Sequence, residues 1–105
     1  MTQFSVHKNK NPKTRSTYPY LINVQSDLLT GLSTRVVVPV TKHAAMLKKP
    51  IRNLMPIVEV DGQSFVMLMP QLAGIAASEL GPVVGTVAAQ RAEVIAALDF
   101  LITGI

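Results

Sequence analysis

Apolar and polar positions in the first half of the chain indicate β-strands. A short strand is predicted around residues 4–7, and the two-residue period of residues 20–24 predicts a second strand after a polar loop over residues 8–17. The β-branched run of residues 35–40 predicts a third strand. Pro39 cannot donate a hydrogen bond to a neighbouring strand. The third predicted strand is therefore expected to lie at an edge of the sheet or to carry a bulge at this residue.

The clearest local signal in the chain is a predicted hairpin. Two apolar runs, residues 56–60 and 64–69, flank the pair Asp61 and Gly62. Asp-Gly tolerates the positive φ angles that a two-residue type I′ turn requires. Residues 71–80 stay ambiguous, because their alanines and leucines favour a helix whereas their glycine and the flanking prolines do not.

The pattern becomes helical from Thr86 onward. An apolar stripe recurs at three-to-four-residue spacing, and it comprises Val87, Val94, Leu98 and Leu101. Gly104 lies just past this stripe, where a glycine suits a helix cap. Five or six antiparallel strands followed by one terminal helix predict an α+β protein.

Composition points to one domain, residues 1–105, whose surface is partly covered by another chain. Hydrophobic residues make up 49% of the sequence and charged residues only 15%, so the chain is not predominantly disordered. Low charge with this much apolar material predicts an obligate dimer. The absence of cysteine excludes a disulfide framework, a thiolate metal site and a thiol nucleophile.

The net charge of +4 is distributed unevenly. Up to Arg52 there are nine basic residues and one acid, whereas from Asn53 onward there are one base and five acids. A basic segment can bind nucleic acid or an acidic protein. Most of these bases are lysines, and few aromatic residues lie among them. The pattern is therefore more typical of solvated loops, and we expect no direct binding of nucleic acid.

Motifs for catalysis or metal binding are missing from the sequence. His7 and His43 lie far apart without further ligands, so we predict no metal site and no cofactor. There is no G-x-S-x-G elbow and no P-loop. No signal peptide is visible, and the longest uncharged span is too short and too broken for a membrane helix, so a cytoplasmic protein is expected.

Three segments of the sequence resemble the CcdB family, the toxins of plasmid and chromosomal toxin–antitoxin modules. They are the segment YLINVQSDLL at residues 20–29, the segment LMPIVEV at residues 54–60, and the ending Gly104-Ile105 after an amphipathic helix. The resemblance covers essentially the whole chain. It implies a partly open SH3-like barrel, mainly antiparallel, with a small extra sheet and a C-terminal helix, so that residues 71–80 would be extended.

The resemblance also implies a function and its partners. A symmetric homodimer would enter the A subunit of DNA gyrase and trap the cleaved-DNA complex, causing double-strand breaks and growth arrest. Such a protein is an inhibitor that acts by binding, with no turnover of its own. An acidic, partly disordered antitoxin would neutralise it, and in plasmid-borne modules this pairing serves plasmid maintenance.

Carried over position by position, the resemblance implies three groups of contact residues. The gyrase-binding residues would be Leu28, Leu29, Thr30, Asp99, Thr103, Gly104 and Ile105. Thr103 stands where the family has a tryptophan, whose ring could stack on an arginine of the target. The dimer interface would include Leu101, Ile102 and Gly104. The basic segment would bind the antitoxin through Lys8, Lys10, Lys13, Arg15, Lys48 and Lys49.

Two other functions remain open at this point. An endoribonuclease toxin of the related MazF type shares this barrel, and it would need Arg15, Arg35 and His43 to converge on an RNA cleft. A third possibility is an inert dimerisation module, which predicts no toxicity.

Overall fold

The structure is a computed structural model, and it describes residues 2–104. This part of the chain contains seven strands followed by one α-helix. The elements are β1 (Ser5–Asn9), β2 (Tyr20–Asn23), β3 (Thr34–Lys42), β4 (Ile57–Val60), β5 (Gln63–Met67), β6 (Ala73–Ala76), β7 (Leu80–Thr86) and α1 (Arg91–Thr103). Five or six strands were predicted, and β7 was missed because its two glycines and its proline interrupt the apolar pattern.

All strand pairs are antiparallel, and they form one curled half-barrel sheet with the order β4-β5-β3-β2-β1-β7. β6 lies off this path and pairs with the first half of β3, whereas β5 pairs with its last three residues. The predicted α+β fold, a partly open antiparallel barrel with a C-terminal helix, is confirmed. Residues 71–80 form no α-helix, and their extended part is β6, with short 3-10 turns on both sides of it at Met69–Gln71 and Ala77–Glu79.

The prediction that Pro39 marks an edge strand or a bulge is wrong, because β3 is the most central strand of the sheet. Pairs with β6 end at Val37 and pairs with β5 begin at Val40, so Pro39 faces the gap between these two partners. The carbonyl oxygen of Pro39 accepts a hydrogen bond from the Leu68 amide across this gap at 2.9 Å. On the other side β2 pairs with β3 without a register shift. The proline is tolerated because no ladder hydrogen bond is required from its nitrogen.

The predicted hairpin is confirmed as β4, β5 and the turn between them. Asp61 and Gly62 have φ angles of 53° and 78°, which are the two positive values that a type I′ turn requires. The register pairs Val58 with Phe65, and both side chains are buried. The turn therefore places the apolar face of this hairpin toward the core.

The core lies between one face of the sheet and α1. Val6, Ile22 and Val38 form a cross-strand row on β1, β2 and β3, and all three are almost completely buried. The helix covers the core with Val94 and Ala97, which are also buried.

The helix begins later than predicted, at Arg91 instead of Thr86. Val87 is buried in the core but precedes the helix. The side-chain amide of Gln90 donates to the carbonyl of Ile57 on β4 at 2.8 Å, which fixes the start of the helix against the sheet. Within residues 2–104, no helix has both the length and the apolar character needed to cross a membrane.

Candidate functional site

The loop between β2 and β3, residues 26–33, exposes three leucines and is called here the leucine loop. Leu28 is 94% exposed, and Leu29 and Leu32 are about half exposed. The Ser26 hydroxyl begins the loop by accepting a hydrogen bond from the amide of Leu28 at 3.2 Å. Leucine side chains in water contribute little to folding, so three of them on one short loop form a candidate contact surface.

Gln25 supports the leucine loop from its first end. This buried side chain donates to the carbonyl of Leu29 at 3.1 Å, and its amide oxygen accepts from the backbone N–H of Val36 at 3.1 Å. One glutamine therefore joins the loop to β3. The role of Gln25 could not be predicted from the sequence, because a polar side chain at the end of a strand carries no local sign of burial.

Arg35 supports the same loop from its second end. The residue is only 8% exposed, and its guanidinium donates to the backbone carbonyls of Thr30 at 2.9 Å, Thr34 at 2.8 Å and Leu32. The endoribonuclease alternative required Arg35 in an RNA cleft with Arg15 and His43. The structure instead buries Arg35 beneath the leucine loop.

The C-terminal end of α1 is the second part of the predicted gyrase-binding surface. Asp99, Thr103 and Gly104 are exposed there, and the Thr103 hydroxyl donates to the carbonyl of Asp99 at 2.6 Å. Gly104 ends the helix with a φ of 73°, and its amide donates to the carbonyl of Phe100 at 2.9 Å. The predicted helix cap is confirmed. Ile105 lies outside the described residues.

Two residues of the predicted dimer interface differ in their exposure at this helix end. Leu101 is half-buried and packs against the core, whereas Ile102 is 74% exposed. An isoleucine this exposed at the end of a helix leaves an apolar side chain in water, and it is available to a partner.

Within one chain, the leucine loop is connected to the start of α1. The amide of Gln3 donates to the Asp27 carboxylate at 2.8 Å, and the Gln3 side-chain oxygen accepts from the Arg91 guanidinium at 3.4 Å. An α-helix rises about 1.5 Å per residue, so Thr103 lies about 18 Å from Arg91 along the helix axis. Of the described residues that are predicted to bind gyrase, one group therefore lies on the loop and the other at the end of the helix.

The predicted antitoxin-binding residues also fall into two regions. The first surrounds the connection between β1 and β2, where a cavity of about 440 Å³ lies on the face of the sheet formed by Leu21 and Pro39. Lys10 lines this cavity, and its ammonium group donates to the carbonyl of Ser78 at 2.9 Å. The basic residues of this region are Lys8, Lys10, Lys13 and Arg15.

The second basic region is the loop between β3 and β4, which contains the exposed residues Lys48 and Lys49. A groove of about 870 Å³ separates this loop from the outer face of α1. Ile57 and Phe100, both partly exposed, form part of its apolar lining. Charged and ionisable side chains also line the groove, and they are His43, Lys49, Arg52 and Glu93.

A comparison with protein families shows which family this chain belongs to. The family model described as CcdB protein matches residues 3–104, which is nearly the whole chain. The chain belongs to the CcdB family. The resemblance drawn from YLINVQSDLL, LMPIVEV and the Gly104-Ile105 ending is thereby confirmed. As a CcdB-family protein, the chain is a toxin of a toxin–antitoxin module, and an antitoxin is its partner in general terms.

Elsewhere in this CcdB-family toxin, His7 has a structural role. His7 is buried, with Nε2 at 2.8 Å from the Ser5 hydroxyl and Nδ1 at 2.9 Å from the carbonyl of Gly81 on β7. The histidine thus joins β1 to β7 through side-chain hydrogen bonds. Among residues 2–104 there is no group of three or more histidine, aspartate or glutamate side chains placed to hold a metal ion.

Proposed function

We propose that this toxin binds the A subunit of DNA gyrase and traps the complex in which DNA is cleaved, so that double-strand breaks persist and growth stops. The observation that supports this proposal best is the leucine loop, because it presents exposed apolar side chains on hydrogen-bonded backbone. A loop of this kind suits binding to another protein. The toxin would act as an inhibitor and not as an enzyme, with no cofactor, in the cytoplasm where gyrase works.

The contact with gyrase would use the leucine loop together with the end of α1. On the loop, Leu28 and Leu29 supply apolar area and Thr30 lies beside them. The contact residues at the helix end would be Asp99, Thr103, Gly104 and Ile105. Thr103 offers a hydroxyl where the family has a tryptophan, so this part of the contact would lack a ring that can stack on an arginine.

The active form would be a symmetric homodimer that brings two helix ends together. The exposed side chain of Ile102 supports this proposal, since a two-fold axis near it would cover an apolar group on both chains. Leu101 and Gly104 would lie in the same interface. Sedimentation at micromolar concentration should show a species with twice the mass of one chain, and a folded species with the mass of one chain would contradict the proposal.

The antitoxin would be an acidic, partly disordered chain that folds as it binds. The groove between α1 and the loop of residues 46–56 suits such a partner, because apolar walls at Ile57 and Phe100 lie beside Lys49 and Arg52. An amphipathic acidic segment could place apolar side chains on these walls and carboxylates near the cations. Lys48, next to the groove, would add to the positive potential. The first basic region, Lys8, Lys10, Lys13 and Arg15, would extend the contact.

Replacing the two lysines beside the groove tests this part of the proposal. The double variant Lys48→Gln, Lys49→Gln should associate more slowly with the cognate antitoxin at low salt, because two cations no longer steer an acidic chain. The difference from the unmodified toxin should shrink at high salt, where charges are screened. Stopped-flow association measured from low to high salt gives both results. Equal rates at low salt would contradict a role for these lysines.

The test of the proposed function is a cleavage assay with supercoiled plasmid and purified gyrase. Linear DNA should accumulate after protein denaturation only when gyrase and toxin are both present. No linear DNA with both proteins present would contradict the proposal. RNA incubated with the toxin serves as a parallel measurement, and it should stay intact. Degraded RNA would favour the MazF-type alternative.

A further inference from the structure

We infer that Arg35 is a positioning residue for target recognition, because it holds the part of the leucine loop that begins at Thr30, directly after Leu28 and Leu29. This inference rests on the proposed function, since the role of the loop in contacting gyrase belongs to that proposal. Whether Arg35 orders the loop can be measured without gyrase. The two proposals can therefore fail separately.

The guanidinium of Arg35 reaches most of the second half of the loop. It donates to Thr30 at one end, to Leu32 in the middle and to Thr34 at the start of β3. A guanidinium carries five N–H donors in a rigid planar fork, so one side chain can satisfy several carbonyls in fixed geometry. A lysine ammonium is a compact group without this fork, and it is not an equivalent replacement.

Between Leu28 and Leu32, the loop has little other means of keeping its shape. Its three leucines are exposed, so burial of apolar area does not hold them in place. Local turns supply short hydrogen bonds, from the Leu29 amide to the Ser26 carbonyl and from the Leu32 amide to the Leu29 carbonyl. The ends of the loop are held by the Gln3 amide, which donates to the Asp27 carboxylate, and by the Ala77 amide, which donates to the Ser33 carbonyl. Between these ends, the side chains of Gln25 and Arg35 connect the loop to the sheet. Gln25 holds the middle of the loop, and Arg35 holds the part that follows.

The burial of Arg35 couples its charge to the order of the leucine loop. Removing a charged side chain from water is unfavourable unless hydrogen bonds and partners compensate, and an apolar side chain on β3 would fold at lower cost. Here the compensation comes from carbonyls of the leucine loop. The energetic benefit of the buried charge is therefore coupled to the order of this loop. A loop that is ordered before binding loses less conformational entropy when it contacts a partner.

Three variants test the inference. Arg35→Met keeps much of the apolar stem and removes all donors, and Arg35→Lys keeps the charge but removes the planar fork. Val37→Ala is the matched control, because Val37 is buried on the same strand, two residues further along, and makes no side-chain hydrogen bond to the loop. Each variant is compared with the unmodified toxin by thermal unfolding, by amide hydrogen exchange of residues 28–32, and by the toxin concentration that gives half-maximal gyrase cleavage.

Arg35→Met should exchange its loop amides at least about tenfold faster than the unmodified toxin. Its half-maximal concentration should rise about tenfold or more, since two or three side chains would be ordered only upon binding. Arg35→Lys should have an exchange rate and a half-maximal concentration between those of Arg35→Met and those of the unmodified toxin. If Arg35→Met fails to fold, the same measurements on Arg35→Lys test the inference. Val37→Ala should lower the melting temperature while changing the half-maximal concentration less than about twofold.

Unchanged loop exchange in both arginine variants would overturn the inference. Faster loop exchange with an unchanged half-maximal concentration would also overturn it, since loop order would then be irrelevant to recognition. A loss of cleavage in Val37→Ala equal to that in Arg35→Met would show a general effect of stability and would refute a specific role. Absence of cleavage with the unmodified toxin would instead contradict the proposed function, and the exchange data would still decide whether Arg35 orders the loop.

Discussion

Leu28 offers the most direct test of the leucine loop, because its side chain contributes almost nothing to the isolated fold. It is 94% exposed, so Leu28→Ala should change the free energy of unfolding by less than about 0.5 kcal/mol. The substitution removes three carbon atoms. If those atoms are buried against gyrase, each contributes about 0.8 kcal/mol, and the binding free energy should weaken by about 2 kcal/mol. That loss corresponds to about 30-fold weaker binding.

The matched control for this substitution is Leu47→Ala. Leu47 is also fully exposed, but it lies in the loop between β3 and β4, outside the proposed gyrase contact. The assay measures plasmid cleavage by purified gyrase over a range of toxin concentrations, with thermal unfolding of the same samples. Leu28→Ala should shift the cleavage curve to higher concentration, and Leu47→Ala should superimpose on the unmodified toxin. Superimposed curves for Leu28→Ala, or equal shifts for both variants, would refute the reasoning.

The other predictions concern the chain terminus and the core. Deleting Gly104 and Ile105 should leave the melting temperature within a few degrees, because a helix cap is worth about 0.3–1.5 kcal/mol. The same deletion should weaken gyrase cleavage at least about tenfold, since a buried isoleucine contributes about 1.5–3 kcal/mol. Full cleavage by the truncated toxin would exclude this end from the contact. Val94 is buried, and Val94→Ala should lower the free energy of unfolding by about 2 kcal/mol. Val83 is exposed on β7, and Val83→Ala should change this free energy by less than about 0.5 kcal/mol. Urea denaturation measures both changes.

Elements that depend on neighbours in the sequence were predictable from the chain alone. The hairpin turn at Asp61 and Gly62 needs positive φ angles at two adjacent residues. The pair Asp-Gly is typical of such turns, so the turn could be predicted from these two residues alone. The helix cap at Gly104 also requires a positive φ angle, which a glycine adopts readily. Strand β2 follows from alternation of side chains, because alternate side chains of a strand face opposite sides of the sheet. Strand β3 follows from its β-branched run, and β4 and β5 follow from the turn between them. The family could also be predicted, since a motif such as VQSDLL is a property of the sequence itself.

Elements that depend on distant parts of the chain were not predictable in the same way. Pro39 lies in the central strand because β5 and β6 leave a gap beside it, and that gap exists only after both strands have paired with β3. β7 pairs with β1 across more than seventy residues despite its broken apolar pattern. In both places, pairing with a distant strand outweighs the local preference of the residues.

The two contact surfaces show the same division. The sequence by itself determined that Leu28 and Leu29 follow a strand and that Gly104 follows a helix, because short-range patterns specify these positions. Only the tertiary structure decided that Arg35 is buried beneath the leucine loop instead of lining an open cleft. Burial of a charge depends on whether carbonyls from another segment are within reach of its donors. That distance is set by the packing of the whole sheet, and no local pattern encodes it.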